Sequence, residues 1–127
     1  MQTELLELKY PSSARSGSRL QPVRGRDCAL DIVVSNESVE KIRFIGVEAY
    51  KVSYMFTAQL PEEVDAYDRL VDLGRTEWLE AVTQSLKRHG TDTTELRHLA
   101  IELDDGPTYE VLCRGFHAEV GTTPVEG

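Results

Sequence analysis

This 127-residue sequence has only two cysteines, few aromatic residues and no long apolar run. Two cysteines are too few for a disulfide scaffold or a cysteine-based zinc site, so Cys28 and Cys113 are predicted to be small buried residues. No apolar segment approaches the roughly 18 residues of a membrane span, and the first residues lack the pattern of a secretory signal. These absences predict a cytoplasmic protein that does not bind membranes.

Local enzyme motifs are also missing. The sequence has no phosphate-binding Gly-rich loop, no Gly-x-Ser-x-Gly elbow and no His-Glu-x-x-His pair. The three histidines, His89, His98 and His117, lack the spacings that bring metal ligands together on one element. We therefore expect no cofactor and no metal, and the sequence favours a non-enzymatic protein.

Charge is one-sided overall and unevenly distributed. Fourteen Lys and Arg against 22 Asp and Glu give a net charge of −8, which disfavours a nucleic-acid binder and favours a basic protein partner. Residues 11–26 differ, with four arginines, no acid and many Ser, Gly and Pro residues, and they are predicted to form an irregular loop. The length predicts one domain over residues 1–127, ending in a flexible tail at 121–127.

The first half of the chain is typical of β-structure. Alternation at Leu6, Leu8 and Tyr10 predicts a short N-terminal strand at a sheet edge, and a second alternating run covers residues 28–34. Turn residues at 35–38 then predict a hairpin with a long return strand. The apolar phase of that strand changes twice, so we expect it to be strongly coiled, with a bend at Gly46.

Two consecutive helices are predicted from residue 60 onward, because the spacing of apolar residues changes there from strand-like alternation to a helical period. In the first, residues 60–73 place an apolar arc opposite three aspartates, and Gly74 ends the helix. In the second, Thr76 is the N-cap and Gly90 follows the end. The apolar arc of the second helix contains Trp78, Leu79, Val82 and Leu86.

The last hairpin has a register that follows from its turn. A three-residue loop at 104–106 pairs Leu99 with Val111 and keeps charges off the core face. His98, Glu102 and Glu110 then share the outer face, with the two carboxylates as diagonal neighbours. This pair could do acid/base work, but a solvated sheet face is the favoured interpretation.

These elements predict an α+β fold. Its sheet is mainly antiparallel, with four or five strands from the two hairpins and the N-terminal strand. The two consecutive helices lie between the hairpins and pack on one face of the sheet.

Three functional hypotheses remain open. The leading one is a protein-interaction module in which either an acidic helix face or an exposed sheet surface binds a protein partner, and an immunity-type inhibitor is its sharpest form. The acidic helix face would bind a basic partner through Glu62, Asp65, Asp68 and Asp72. The alternative is a small-molecule binder or enzyme with a pocket near Gly46, lined by Glu48, Tyr50, Tyr54 and His98. The third is a homo-oligomer in which the N-terminal strand pairs across a two-fold axis.

The segments Ala66–Gly74, Thr76–Leu79 and His98–Cys113 resemble a set of small bacterial proteins of uncharacterised function. The final hairpin, with an Asp-Gly turn and the pair Tyr109 and Glu110, is also similar in style to small acidic immunity proteins that neutralise bacterial toxins. This resemblance implies a compact α+β fold and an acidic surface, and it assigns no functional residue to a numbered position.

Overall fold

The computed structural model describes residues 3–12, 17–35, 38–54, 60, 64–104 and 107–119, and this part of the chain folds into two antiparallel sheets and one helix. The five-stranded sheet has the order β1-β6-β7-β8-β5, with strands Thr3–Glu7, Arg69–Asp72, Arg97–Glu102, Thr108–Cys113 and Ala49–Ser53. The four-stranded sheet has the order β2-β3-β4-β9, with strands Ser18–Pro22, Cys28–Val33, Val39–Ile45 and Gly115–Glu119.

The main core lies between the two sheets. Alternate residues of each strand point inward, because side chains in a strand change face at every position. The hydroxyl groups of Ser18 and Tyr109 hydrogen-bond across the sheets at 2.7 Å, so β2 lies over β8. The buried residues of this core are Leu8, Leu30, Ile32, Val34, Ile42, Phe44, Leu70, Leu99, Ile101, Leu103, Tyr109, Val111 and Cys113.

The predicted coiled strand is in fact two strands that belong to different sheets. β4 ends at Ile45 and β5 begins at Ala49, with Gly46 between them at φ +62°. A side chain at Gly46 would be strained by this left-handed backbone and would meet the Arg114 side chain at 3.1 Å. The bend predicted at Gly46 is confirmed, and it carries the chain from one sheet to the other.

The first predicted helix is wrong. Part of residues 60–73 forms β6, which pairs with β1 on one side and with β7 on the other. Leu70 points into the main core, whereas Val71 points to the outer face and packs with Ala66, Leu73 and Ala100. A strand buried on both faces has adjacent apolar residues, and such a run cannot be distinguished from a helical arc by its period.

The second predicted helix is confirmed. Helix α1 spans Glu77–Arg88, and the Thr76 side chain accepts a hydrogen bond from the Leu79 backbone N–H at 3.2 Å. The helix covers part of the outer face of the five-stranded sheet through Leu79, which packs on Leu96 and Leu112. The described residues thus form a two-sheet sandwich with one helix, and the predicted α+β fold with two consecutive helices is wrong.

The structure also bears on the predictions for the 11–26 loop, the N-terminal strand and the tail. The predicted loop at 11–26 contains β2, an edge strand, because its residues pair with β3 from Ser18↔Ile32 to Pro22↔Cys28. β1 lies at a sheet edge, as expected of the N-terminal strand. The tail at 121–127 lies outside the described residues, as does Glu62. In the described part of the chain, no helix has the length and apolar character of a membrane span.

The three aspartates of the predicted acidic helix face are separated, because the segment is not helical. Asp65 is bonded to the Arg69 guanidinium at 2.9 Å. Asp72 accepts the Gly74 N–H at 2.9 Å. Asp68 adopts φ 54°, and its carboxylate accepts hydrogen bonds from both the N–H and the hydroxyl group of Ser12. Asp68 therefore holds the segment after β1 against the start of β6.

We expect Asp68→Ala to lower the free energy of unfolding by about 2 kcal/mol, because it leaves the donors of the buried Ser12 unpaired. The matched control is Asp65→Ala, which removes an exposed ion pair and should cost less than about 0.5 kcal/mol. Urea unfolding monitored by fluorescence measures both. Equal, small losses for the two variants would contradict this structure and support a solvent-exposed helix face.

Candidate functional site

β5 lies at one edge of the five-stranded sheet, and three of its five residues are exposed. β5 pairs with β8 from Ala49↔Leu112 to Ser53↔Thr108 and is the last strand of its sheet. In the described part of the chain, no strand pairs with its other side. Alternate backbone N–H and C=O groups of such a strand point away from the sheet and can accept another strand.

Large apolar side chains follow this edge. Tyr50 and Val52 are 43% and 42% exposed and lie opposite the core residues Val111 and Tyr109. They therefore lie on the inner face of the five-stranded sheet, where the four-stranded sheet does not cover them. Tyr54, directly after the strand, is 64% exposed. We call Tyr50, Val52, Tyr54 and the outer backbone of β5 the β5 edge.

A cleft of about 500 Å³ opens where β5 begins. It lies between the β2–β3 connection and the bend that leads from β4 into β5. Pro22, Val47 and Tyr50 give it apolar walls, and Cys28 also lines it. Its charged lining residues are Arg26, Asp27 and Glu48.

Glu48 is the central charge of this cleft. Its side chain is only 8% exposed, and its two carboxylate oxygens lie 2.6 Å from Arg26 Nη1 and 2.8 Å from Arg114 Nη1. Arg114 is fixed further by donating to the carbonyl oxygens of Gly46 and Asp92, each at 2.9 Å. Charge-assisted bonds of this kind are strong and directional, so the buried carboxylate orients Arg26 at the mouth of the cleft.

Asp27 completes the network on the other side of the cleft. It accepts from Arg43 at 3.1 Å and from the Gly46 N–H at 3.2 Å. Three guanidinium groups, those of Arg26, Arg43 and Arg114, thus meet two carboxylates. This network of five charged groups has one positive charge in excess, in a protein whose net charge is −8.

The structure brings together only part of the predicted ligand pocket. Glu48 and Tyr50 line the cleft near Gly46, as the prediction requires, and Tyr54 lies farther along the β5 edge. His98 is elsewhere, on the outer face of β7, because it pairs with Leu112 beneath α1. Sequence reasoning missed Arg26 and Arg114, since neither is near Glu48 in the chain.

The last hairpin has the predicted register, but its outer face is not solvated. Leu99 pairs with Val111, as predicted, and Ala100 pairs with Glu110. Helix α1 covers this face, so His98 and Glu110 are each only 3% exposed. The expected solvated face is therefore wrong at these two residues. The apolar arc of α1 was the available signal, because that arc must cover some sheet face.

His98 connects the helix to the sheet. Its Nδ1 lies 2.6 Å from the Thr76 hydroxyl and its Nε2 lies 2.8 Å from a Glu110 oxygen. Its ring and the Trp78 ring form an edge-to-face pair with their centroids 5.1 Å apart. Lys51 Nζ lies 3.7 Å from the other Glu110 oxygen and 4.5 Å above the Trp78 ring. A hydroxyl, an imidazole and a carboxylate in this order occur in catalytic triads, where the imidazole takes the hydroxyl proton and the carboxylate orients the ring. Here, however, the hydroxyl also caps α1 and the ring is buried, so the chain of bonds anchors the helix.

The remaining reactive groups are suppressed rather than activated. Burial raises the pKa of Cys113 to about 12 and also raises that of Cys28, on which the Asp27 charge acts in the same direction. A hydrogen bond to Asp104 raises the pKa of the exposed Tyr67 to about 12. Nowhere in the described ranges do three His, Cys, Asp or Glu residues converge as metal ligands.

Comparisons with protein-family models, with curated proteins and with solved structures gave no match to this chain. The function is therefore inferred from the geometry and chemistry of the chain itself.

We expect Glu110→Ala to lower the free energy of unfolding by about 3 kcal/mol, because it leaves His98 buried without its partner. Glu102→Ala, on the same face but half-buried, is the matched control and should cost less than about 1 kcal/mol. The double variant His98→Leu with Glu110→Leu should recover most of the loss. Chemical unfolding measures all three, and equal losses for Glu110→Ala and Glu102→Ala would contradict an anchoring role.

The alkylation rates of the two cysteines should depend on how deeply each thiol is buried. At pH 8 a thiol with a pKa of about 12 is protonated, so Cys113 should react with iodoacetamide about a thousandfold more slowly than an unshielded thiol. Cys28 lines the cleft and should react before Cys113. Timed alkylation with peptide mass spectrometry gives the order, and the unfolded protein is the control in which both react. Earlier labelling of Cys113 would contradict the position of β8 in the core.

Proposed function

We propose that the protein is a non-enzymatic interaction module that binds an extended segment of a partner protein along the β5 edge. The observation that carries this proposal is the row of exposed apolar side chains, Tyr50, Val52 and Tyr54, beside an edge with no neighbouring strand in the described part of the chain. Strand addition is a common mode of peptide recognition, with affinity from backbone bonds and selectivity from alternate side chains.

The lack of protection at this edge supports the proposal. Proteins commonly protect edge strands with charged side chains, lysine above all. Lys51 is the one charged residue in β5, and its ammonium group is held over Trp78 and near Glu110 on the helix side of the sheet. The opposite face, with Tyr50 and Val52, is left without a charge. Tyrosine is also enriched at the centres of protein interfaces.

The buried polar side chains support a binding role rather than catalysis, because they are bonded to other residues of the protein. His98 and Glu110 are buried and bonded to each other, and Glu48 is shared between two arginines. Each of these groups is engaged in holding the fold or the cleft. An immunity-type inhibitor is the sharpest form of this proposal, because an inhibitor covers a partner's surface and needs no catalytic group of its own.

The prediction of a basic partner is now supported by the net charge of −8 and not by an acidic helix face. Asp65, Asp68 and Asp72 do not lie on one helix face, because their segment is not helical and each carboxylate is bonded to a different residue. A net negative charge still accelerates encounter with a basic protein, and high salt reduces that effect.

A small-molecule binder is the second candidate function. The cleft supports it, because a volume of about 500 Å³ lies within the range of ligand sites and a few polar groups converge there. A thermal-shift screen with metabolites separates the two functions. Reproducible stabilisation by one class of metabolite, lost in Glu48→Gln, would favour the small-molecule site.

The test of the β5 edge uses a displayed library of random 12-residue peptides selected on the wild-type protein. We expect Tyr50→Ala to weaken the selected peptides about 30-fold, corresponding to about 2 kcal/mol at an interface hot spot. Tyr10→Ala is the matched control, since Tyr10 is 38% exposed at a different place, and it should change the affinity less than twofold. Fluorescence titration measures the affinities.

Two results would contradict the proposal. One is peptides whose binding is weakened equally by Tyr50→Ala and Tyr10→Ala, and the other is a selection that yields no binder. Light scattering tests the third hypothesis, the homo-oligomer, for which the sequence predicts pairing through the N-terminal strand and not through the β5 edge. A concentration-dependent dimer that is broken by Val52→Lys would show that the β5 edge pairs with a second copy of the chain.

A further inference from the structure

We infer that the cleft at the start of β5 selects a partner segment that carries a carboxylate side chain two residues away from an apolar one. Arg26 is the contact for the carboxylate, and the walls of the cleft take the apolar side chain. This inference rests on the proposed binding of an extended segment along the β5 edge, and it adds the chemistry of that segment.

Local charge is the first support. The network of ion pairs that joins Arg26, Arg43 and Arg114 to the two carboxylates at the cleft has one positive charge in excess. The neighbouring Arg24 adds another from the same turn, because Arg24 forms no ion pair within the described ranges. The backbone of this turn is held by hydrogen bonds between Val23 and Asp27 and between Asp27 and Arg24, each 3.0 Å long. A segment bearing a carboxylate is therefore attracted here, although the protein as a whole is negative.

The geometry of Arg26 is the second support. A guanidinium group has five N–H donors in a plane. Of the three guanidinium nitrogens of Arg26, only Nη1 donates to Glu48. The side chain is 68% exposed, so its other donors face solvent at the mouth of the cleft. Because Glu48 is buried and also tied to Arg114, it holds Arg26 in place before a ligand arrives. Such preorganisation lowers the entropy cost of binding.

The spacing within the segment follows from strand geometry. Side chains two residues apart in an extended segment point to the same side. Arg26 lies beside the apolar walls formed by Pro22, Val47 and Tyr50, and Tyr50 also begins the β5 edge. A strand added along β5 can thus place one side chain against Arg26 and the next on that side against Tyr50.

The test uses capped nine-residue peptides that alternate threonine and valine, with each valine in turn replaced by glutamate or by glutamine. We expect one glutamate peptide to bind about tenfold more tightly than its glutamine match at low salt, as charge-assisted bonds are stronger than neutral ones. This preference should fall below twofold in Arg26→Gln. It should persist in Arg19→Gln, because Arg19 is exposed on β2 and does not line the cleft. Isothermal titration calorimetry measures both affinities.

Each other outcome overturns a defined part of the proposal. Equal binding of the glutamate and glutamine peptides overturns the selectivity and leaves binding at the β5 edge standing. If no peptide binds, or if Tyr50→Ala does not weaken the glutamine peptide, the proposed function itself is overturned. If N-acetylglutamate binds as tightly as the best peptide, the cleft is a small-molecule site and the inferred segment is overturned. An unchanged affinity of Arg26→Gln for the glutamine peptide shows that this variant is folded.

Discussion

The change of sheet at Gly46 is the constraint on which the rest of the structure depends. The backbone adopts a left-handed conformation at this residue, the Asp27 carboxylate accepts its N–H, and Arg114 packs against it and binds its carbonyl oxygen. This bend allows one run of chain to supply β4 to one sheet and β5 to the other. Asp27 and Arg114 also belong to the charge network of the cleft, so the bend and the candidate site have a common structural basis.

Coverage of the five-stranded sheet explains why one edge remains available. The four-stranded sheet covers its inner face, and α1 covers its outer face around Leu112, His98 and Glu110. Neither layer extends over the inner face at β5, where Tyr50 and Val52 are exposed. A polar anchor beneath α1 makes this arrangement specific, since both ring nitrogens of the buried His98 are paired only when the N-cap of the helix supplies Thr76. The same layers that stabilise the fold thus define its candidate interaction surface.

Local patterns predicted much of this structure. The N-cap at Thr76, the helix to Arg88, the register of the last hairpin and the bend at Gly46 were predictable, because each depends on neighbours within a few residues. The prediction for residues 60–73 was wrong for the same reason. Leu70 and Val71 pack in two cores on opposite faces of the sheet, and their burial depends on β1, β7 and the four-stranded sheet, which are distant in the chain. Periodicity does not carry that information.

The sequence by itself determined the turns, the helix cap, the alternating strands and the net charge, because propensity, capping and composition act over short distances. Tertiary structure alone decided the partition of the strands into two sheets and the burial of His98 with Glu110. It alone also brought Arg26 and Arg114 to Glu48 and left the β5 edge exposed. These features depend on residues that are far apart in the chain, so they arise only when the apolar faces of the sheets and the helix pack together. That packing buries particular polar groups, and each buried polar group then needs a partner.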